Sequence, residues 1–354
     1  LLIDNFKMSD LGFGIIGCGI GATFHLAGIR KATGAKLVAV ADKLPEKAEK
    51  FAKENHIPAW YDNYKKLLAR QDIEIISVCV PSGLHSDVAV EAAKAGKHIL
   101  CEKPIDITLS AADKMINAAE QAKVKLGIVL QWRAYENFQL IRQAVQSGML
   151  GKMVLGDVYL KYYRSQDYYD SAEWRGTWKF DGGGALMNQG VHGIDLVQWI
   201  MGDVESVYAK ADHLVRDIEV EDTAVVVLTY KNGAYGIIQG TTSVYPGEAP
   251  RVELHGELGT IILQEQLIKK WVVLGNDGKP NDLTPPGEQL NIAGSTDPIA
   301  IVSLGHERCV QNIIDAVVEN KPLFCSGLES RKSLEIIIAI YQSAQTGKAI
   351  QLPL

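Results

Sequence analysis

Apolar residues fall in short unbroken runs along the first third of the chain, at 11–16, 37–41, 73–80, 98–101 and 124–130. Helix-like stretches separate them, at 22–32, 45–55, 62–69, 86–95 and 110–122. A strand that is apolar at nearly every position is buried on both faces, as in a parallel sheet covered by helices on each side. The alternation therefore predicts an α/β, doubly wound parallel sheet over residues 8–131. Residues 1–7 show no periodicity and carry no fold expectation.

Beyond residue 131 the pattern changes. Helices are expected at 135–147 and 191–201, then strands at 204–213, 219–230, 234–244, 250–255, 259–264 and 268–274 with little helix between them. Val220 to Tyr230, Lys231-Asn232-Gly233 and Ala234 to Gln239 read as a hairpin, with Asn-Gly supplying the positive φ of a tight turn. The segment 275–300 holds Pro280, Pro285, Pro286 and Pro298 and reads as a long surface loop. Helices at about 304–319 and 328–345 close the chain. Residues 132–354 are thus expected to form an α+β domain with a mostly antiparallel sheet.

Composition narrows the class. The chain has 354 residues, 47% apolar and 22% charged, with a formal net charge of -6. That balance is globular, excludes global disorder, and argues against a nucleic-acid partner, which calls for concentrated Lys and Arg. No apolar run approaches the ~18 residues of a membrane span. Cys18, Cys79, Cys101, Cys309 and Cys325 are widely spaced with no C-x-x-C pair, so neither a zinc site, nor any other metal site, nor a disulfide framework is expected. With no signal-peptide pattern, a cytoplasmic protein with reduced thiols is expected.

Gly17-Cys18-Gly19-Ile20-Gly21-Ala22 fits the G-x-G-x-x-A variant of a dinucleotide turn. Such a turn brings the pyrophosphate against backbone and helix N-terminus. It follows a strand, opens a helix, and has Asp42 at the end of the next strand, where an acid accepts hydrogen bonds from the adenosine ribose. Gly17, Gly19, Ile20, Gly21 and Asp42 are the expected cofactor residues. Asp42 favours NAD over NADP, because a ribose phosphate would meet its charge. Lys43 next to it softens the preference.

Pro81 to His85 and Glu102-Lys103-Pro104 follow successive predicted strands, at the edge where open α/β sheets bind ligands. A Lys there can take or return the proton of a substrate hydroxyl. By spacing alone, a surface lysine at a turn fits as well. Taken with Asp181-Gly182-Gly183-Gly184-Ala185-Leu186-Met187-Asn188-Gln189-Gly190-Val191-His192-Gly193-Ile194-Asp195, these motifs resemble the Gfo/Idh/MocA oxidoreductases over nearly the whole chain. The resemblance implies an N-terminal Rossmann domain and a C-terminal domain on a large open sheet. It implies that Lys103 is catalytic, that His192 is the second acid/base group, and that Pro81, His85, Glu102 and Lys103 complete the cofactor edge. Inositol dehydrogenase-like members carry Asp where this chain has Asn188. Asn cannot ionise, so Asn188 is expected to orient substrate, with Asp195 as an orienting partner of His192.

Tyr162-Tyr163-Arg164, Tyr168-Tyr169, Trp174 to Trp178 and Trp132-Arg133 are the aromatic patches of the chain. Aromatic faces stack on sugar C–H faces and Arg donates to hydroxyls, so Arg133, Tyr162, Arg164 and Trp174 are expected at a substrate, with Asn188, Asp195 and His192. Core or subunit packing accounts for such residues equally well. The expected activity is NAD-dependent hydride transfer at a secondary alcohol of a sugar, sugar derivative or cyclitol. A non-catalytic NAD-binding regulator and an NAD-dependent glycosidase are the alternatives. A homo-dimer or homo-tetramer is expected, because Val225 and Val227 alternate with Val226 and Leu228 and leave both faces of one strand apolar.

Overall fold

The computed structural model describes residues 10–286 and 304–354. The chain divides into two compact units, residues 10–105, 110–131 and 304–327 in one and 106–109, 132–286 and 328–354 in the other.

The first unit is built on six parallel strands: β1 (Leu11–Ile16), β2 (Ala35–Ala41), β3 (Ala59–Tyr61), β4 (Ile75–Val78), β5 (His98–Cys101) and β6 (Leu126–Ile128). Their order is β3-β2-β1-β4-β5-β6. Helices α1 (Ile20–Lys31), α2 (Pro45–Glu54), α3 (Tyr64–Leu68), α4 (His85–Lys94) and α5 (Leu109–Ala122) connect them. Phe13, Ile15, Ile75, Ile76 and Ile99 are fully buried, which is why these runs contain almost no polar residue. Strand order reverses between β1 and β4, so the crevice beyond their carboxyl ends is the switch point at which such sheets bind ligands.

The second unit contains α6 (Glu136–Gln146), β7 (Met153–Lys161), α7 (Gln166–Asp170), α8 (Val191–Met201), β8 (Val204–Asp212), β9 (Thr223–Tyr230) and β10 (Tyr235–Thr241). It continues through β11 (Arg251–Gly256), β12 (Gly259–Gln264), β13 (Leu267–Leu274) and β14 (Pro280–Asp282). The chain closes with α9 (Leu304–Val318), α10 (Gly327–Thr346) and β15 (Ile350–Gln351). The nine strands run β14-β13-β12-β11-β7-β10-β9-β8-β15, antiparallel except for β7 beside β10.

β7 lies inside this sheet, yet its sequence offered no strand expectation. Gly156 and Asp157 interrupt its apolar pattern. Met201 of α8 lies where a side chain at Gly156 would go, 2.6 Å from a Cβ there, and Asp157 Oδ1 accepts from Ile237 N at 2.8 Å. Both departures are packing solutions that only the partner strands and helix explain. The β9–β10 hairpin forms as expected, but only Gly233 takes a positive φ (86°), while Asn232 caps the turn by accepting from Ala234 N at 3.0 Å.

The sequence boundary at 131 falls where the long second-unit segment begins, but residues 106–109 already belong to the second unit and residues 304–327 rejoin the first. α9 packs on α1 so closely that a Cβ at Gly28 would lie 2.8 Å from Val310, and Lys31 pairs with Glu307 at 2.8 Å. Of the expected 275–300 loop, Pro280–Asp282 is the short strand β14, while 287–300, with Pro298, falls outside the described residues. Among the described residues no helix is long and apolar enough to cross a membrane.

Candidate active site

The phosphate turn is shaped by what each glycine excludes. Gly17 has φ 95°, and a Cβ there would lie 2.5 Å from Cys79 O, so the β1–α1 turn closes only with glycine. Around Gly19 a Cβ meets nothing within 4 Å, leaving open space at the first turn of α1. Ala22 N donates to Gly19 O at 3.1 Å, and no side chain caps this turn or brings a negative charge to it, which suits an anion at the helix N-terminus. Ile20 is 51% exposed beside it. Asp42 follows β2, its Oδ2 accepting from Cys18 N at 2.8 Å and its Oδ1 from Leu44 N at 2.9 Å. The carboxylate is thereby fixed against the glycine turn. These residues fit a dinucleotide with its pyrophosphate on α1 and its ribose at Asp42.

The next two loops at this edge are tied together by His85. His85 is 1% exposed, with Nδ1 facing Pro104 O at 2.9 Å and Nε2 facing Val80 O at 3.0 Å. His85 therefore serves the cofactor edge as a clamp on backbone rather than by reaching out of it. Pro81 opens the single turn Ser82–Leu84 that leads into α4.

Glu102 sits beneath Gly21, whose Cβ position is 3.5 Å from Glu102 Cγ. Its Oε1 meets His25 Nε2 of α1 at 3.1 Å and His306 Nε2 of α9 at 3.2 Å. The Nδ1 atoms of both rings are buried without a partner. Burial alone would raise the Glu102 carboxyl, but the hydrogen bonds from His25 and His306 hold it well below the usual carboxylate range. Lys103 N donates to Glu102 Oε2 at 3.3 Å, so the backbone of the half-buried Lys103 hangs from this braced carboxylate. Sequence reading missed both histidines. His306 is 204 positions from Glu102, and no local motif announces the contact.

In the second unit the glycine-rich segment enters α8 through a wider π-helical stretch, Ala185–Gly190. The Glu221 carboxylate accepts from Gly184 N at 2.9 Å, Leu186 N at 2.8 Å and the Tyr341 hydroxyl at 3.0 Å. Burial pushes this carboxyl up to about 7 against those three bonds. A Cβ at Gly184 would lie 1.8 Å from Glu221 O, so the segment can seat there only as glycine. Asn188 Nδ2 donates to Asp181 Oδ1 at 3.0 Å, and Gln189 Nε2 to the Tyr168 hydroxyl at 3.3 Å. His192, two positions into α8, stacks on Trp132 with ring centres 5.7 Å apart.

Two expected substrate residues are committed elsewhere. Arg133 Nε and Nη2 donate to the two Asp195 oxygens, each at 2.7 Å, and Nη1 to Glu329 at 3.1 Å. Arg133 and Asp195 are each 1% exposed. Facing each other from the segment before α6 and from α8, they form a buried bidentate pair that locks these elements, in place of the substrate roles expected for them. Tyr162 is also buried, at 7% exposure. Arg164 donates to Tyr163 O at 2.6 Å and Trp174 lies under the Arg175 guanidinium at 4.7 Å. Among the described residues no cluster of His, Cys, Asp or Glu is arranged to hold a metal ion.

Comparison with known proteins agrees with these elements. Residues 11–130 match the oxidoreductase family with an NAD-binding Rossmann fold, and residues 138–262 match the GFO/IDH/MocA C-terminal domain. The uncharacterized oxidoreductase YrbE of Bacillus subtilis is 31% identical over 70% of this chain and 72% of its own length. The myo-inositol 2-dehydrogenase of Thermotoga maritima is 30% identical over 70% and 73%. The WlbA dehydrogenase of Bordetella pertussis, solved in complex with NADH and UDP-GlcNAcA, superposes with a TM-score of 0.85 at 32% identity, covering 98% of this chain and 99% of that one.

Proposed function

Because the chain belongs to the Gfo/Idh/MocA oxidoreductases, we propose that this NAD-dependent enzyme oxidises or reduces a secondary alcohol of a sugar, sugar derivative or cyclitol, with Lys103 and His192 moving the hydroxyl proton. Bound NAD supplies the hydride acceptor or donor. The uncapped N-terminus of α1 holds the pyrophosphate, and Asp42 holds the ribose hydroxyls. Lys103, its backbone fixed through Glu102, takes the hydroxyl proton in oxidation and returns it in reduction. His192, fixed by stacking on Trp132, is the second proton-handling group. Asn188, already donating to Asp181, contributes by hydrogen bonding only.

The observation that carries this reading is the braced Glu102-Lys103 turn on the same sheet edge as the open glycine turn. The dehydrogenase from Bordetella pertussis, with its nucleotide sugar, and the inositol dehydrogenase support the substrate class. The test is absorbance at 340 nm with NAD and a panel of free sugars, sugar nucleotides and cyclitols. Net NADH formation is expected with at least one. Aryl-glycoside cleavage without net NADH would make the protein a glycosidase, and NAD binding without either reaction would make it a regulator.

NAD(H) is expected to bind more tightly than NADP(H). The Asp42 carboxylate and a ribose phosphate a few ångström apart near the surface repel by about 1–4 kcal/mol. Fluorescence titration of both cofactors measures the gap, and Asp42→Asn should narrow it. Tighter NADP(H) binding by the wild type would overturn the assignment of Asp42.

The open sheet face supports a self-association reading. Val226, Leu228 and Tyr230 of β9 are buried, while Val225 (51% exposed), Val227 (48%) and Tyr235 of β10 (60%) form an apolar patch on the other face. A second copy of the chain is expected to cover it, giving a dimer or tetramer by light scattering at micromolar concentration. Val225→Glu with Val227→Glu should shift the population to monomer. A monomeric wild type would refute the arrangement.

A further inference from the structure

One arginine beside Tyr168 has no carboxylate partner among the described residues. The Arg175 guanidinium lies 4.3 Å from the centre of the Tyr168 ring and 4.7 Å from that of Trp174, and its Nη1 donates to the Tyr168 hydroxyl at 2.6 Å. Its Nε is buried without a partner, and among the described residues no carboxylate lies within ion-pair distance of it. Arg164 lies over the same Tyr168 ring at 5.6 Å. The Asp181 carboxylate lies near the same Tyr168. Asp181 is 2% exposed, and its oxygens receive Gly176 N and Asn188 Nδ2, each at 3.0 Å. It is thus bound to its own loop and does not pair with Arg175.

The cluster is tied to the segment that bears His192. The Tyr168 hydroxyl that accepts from Arg175 also accepts from Gln189, three positions before His192 and so on the same side of the helix entry. Contacts with both rings and the bond to the Tyr168 hydroxyl hold the Arg175 guanidinium in place, and a guanidinium binds a carboxylate by charge-assisted hydrogen bonds.

Building on the sugar-dehydrogenase reading, we propose that the substrate is an acidic sugar and that Arg175 receives its carboxylate while the secondary alcohol faces the proton-handling groups. Among the described residues Arg175 has no carboxylate of its own to displace, and one guanidinium neutralises one carboxylate charge.

The test is calorimetric binding to the NADH-loaded protein, separate from turnover. The probes are D-glucuronate against D-glucose, UDP-GlcNAcA against UDP-GlcNAc, and glucose 6-phosphate as the phosphate control. In at least one pair the carboxylate member should bind about 10- to 100-fold more tightly than its neutral counterpart, the scale of a charged hydrogen bond. Arg175→Gln should erase that difference without changing affinity for NADH or for the neutral member, and Arg175→Lys should restore part of it. Equal binding within both pairs, including no binding by either member, overturns the proposal. So does a preference that survives in Arg175→Gln, or glucose 6-phosphate binding above glucuronate. NADH formation from neutral sugars alone would overturn the carboxylate assignment and leave the dehydrogenase reading standing. Arg175-dependent binding of the acid with no NADH from any sugar would do the reverse.

Discussion

Lys103→Ala is expected to lower turnover by about 10²–10⁴-fold, the usual cost of losing an acid/base group. NAD binding should stay near the wild-type value. The reason for the split lies in the edge itself. The bond from residue 103 to Glu102 is made by the backbone N–H, which alanine keeps, and Glu102 remains held by His25 and His306. Lys103→Arg sharpens the test, because arginine keeps the charge but cannot release a proton, so it should be nearly as inactive as alanine. Both variants are assayed at 340 nm with the sugar that the panel selects, and NAD affinity is read by fluorescence. Wild-type kcat in Lys103→Ala would make Lys103 a structural residue.

Breaking the Arg133–Asp195 pair is expected to have the largest effect on stability. Removing one partner of a buried ion pair leaves an uncompensated charge and costs about 3–5 kcal/mol. The two single variants should differ. Arg133→Met strands the Asp195 carboxylate, which burial already pushes toward its neutral form. Asp195→Leu leaves Arg133 with Glu329 at 3.1 Å and the Trp199 ring at 5.2 Å, so it should cost less. The double variant should recover much of the loss, because an apolar pair replaces two desolvated charges. Urea denaturation measures all three. A double variant as unstable as the sum of the singles would show that the two side chains act independently.

That pair also marks the limit of what the sequence determines. Arg133 and Asp195 stand beside aromatic and helix-entry motifs, and their types alone suit a sugar site as well as a buried lock. Their burial and mutual distance, set by α8 meeting the segment before α6, decide between the two. Glu102 is similar: its motif is legible as three consecutive letters, but its brace comes from His25 and His306, brought together only when α9 returns to α1. The strand β7 escaped the apolar pattern because Gly156 and Asp157 answer to Met201 and Ile237 rather than to a local preference.

What the sequence determined alone are the features whose physics is local. Unbroken apolar runs specify strands buried on both faces, and so the parallel sheet of the first unit. Three closely spaced glycines after β1 specify the tight turn into α1, and the acid after β2 lies against that turn. Alternating runs after residue 204, with Asn232-Gly233 between two of them, specify the antiparallel hairpin. The tertiary structure decided which polar residues face outward as chemistry and which are spent on one another. A side chain's role follows from desolvation and from the partner within hydrogen-bond reach, and both are properties of residues far apart in the chain.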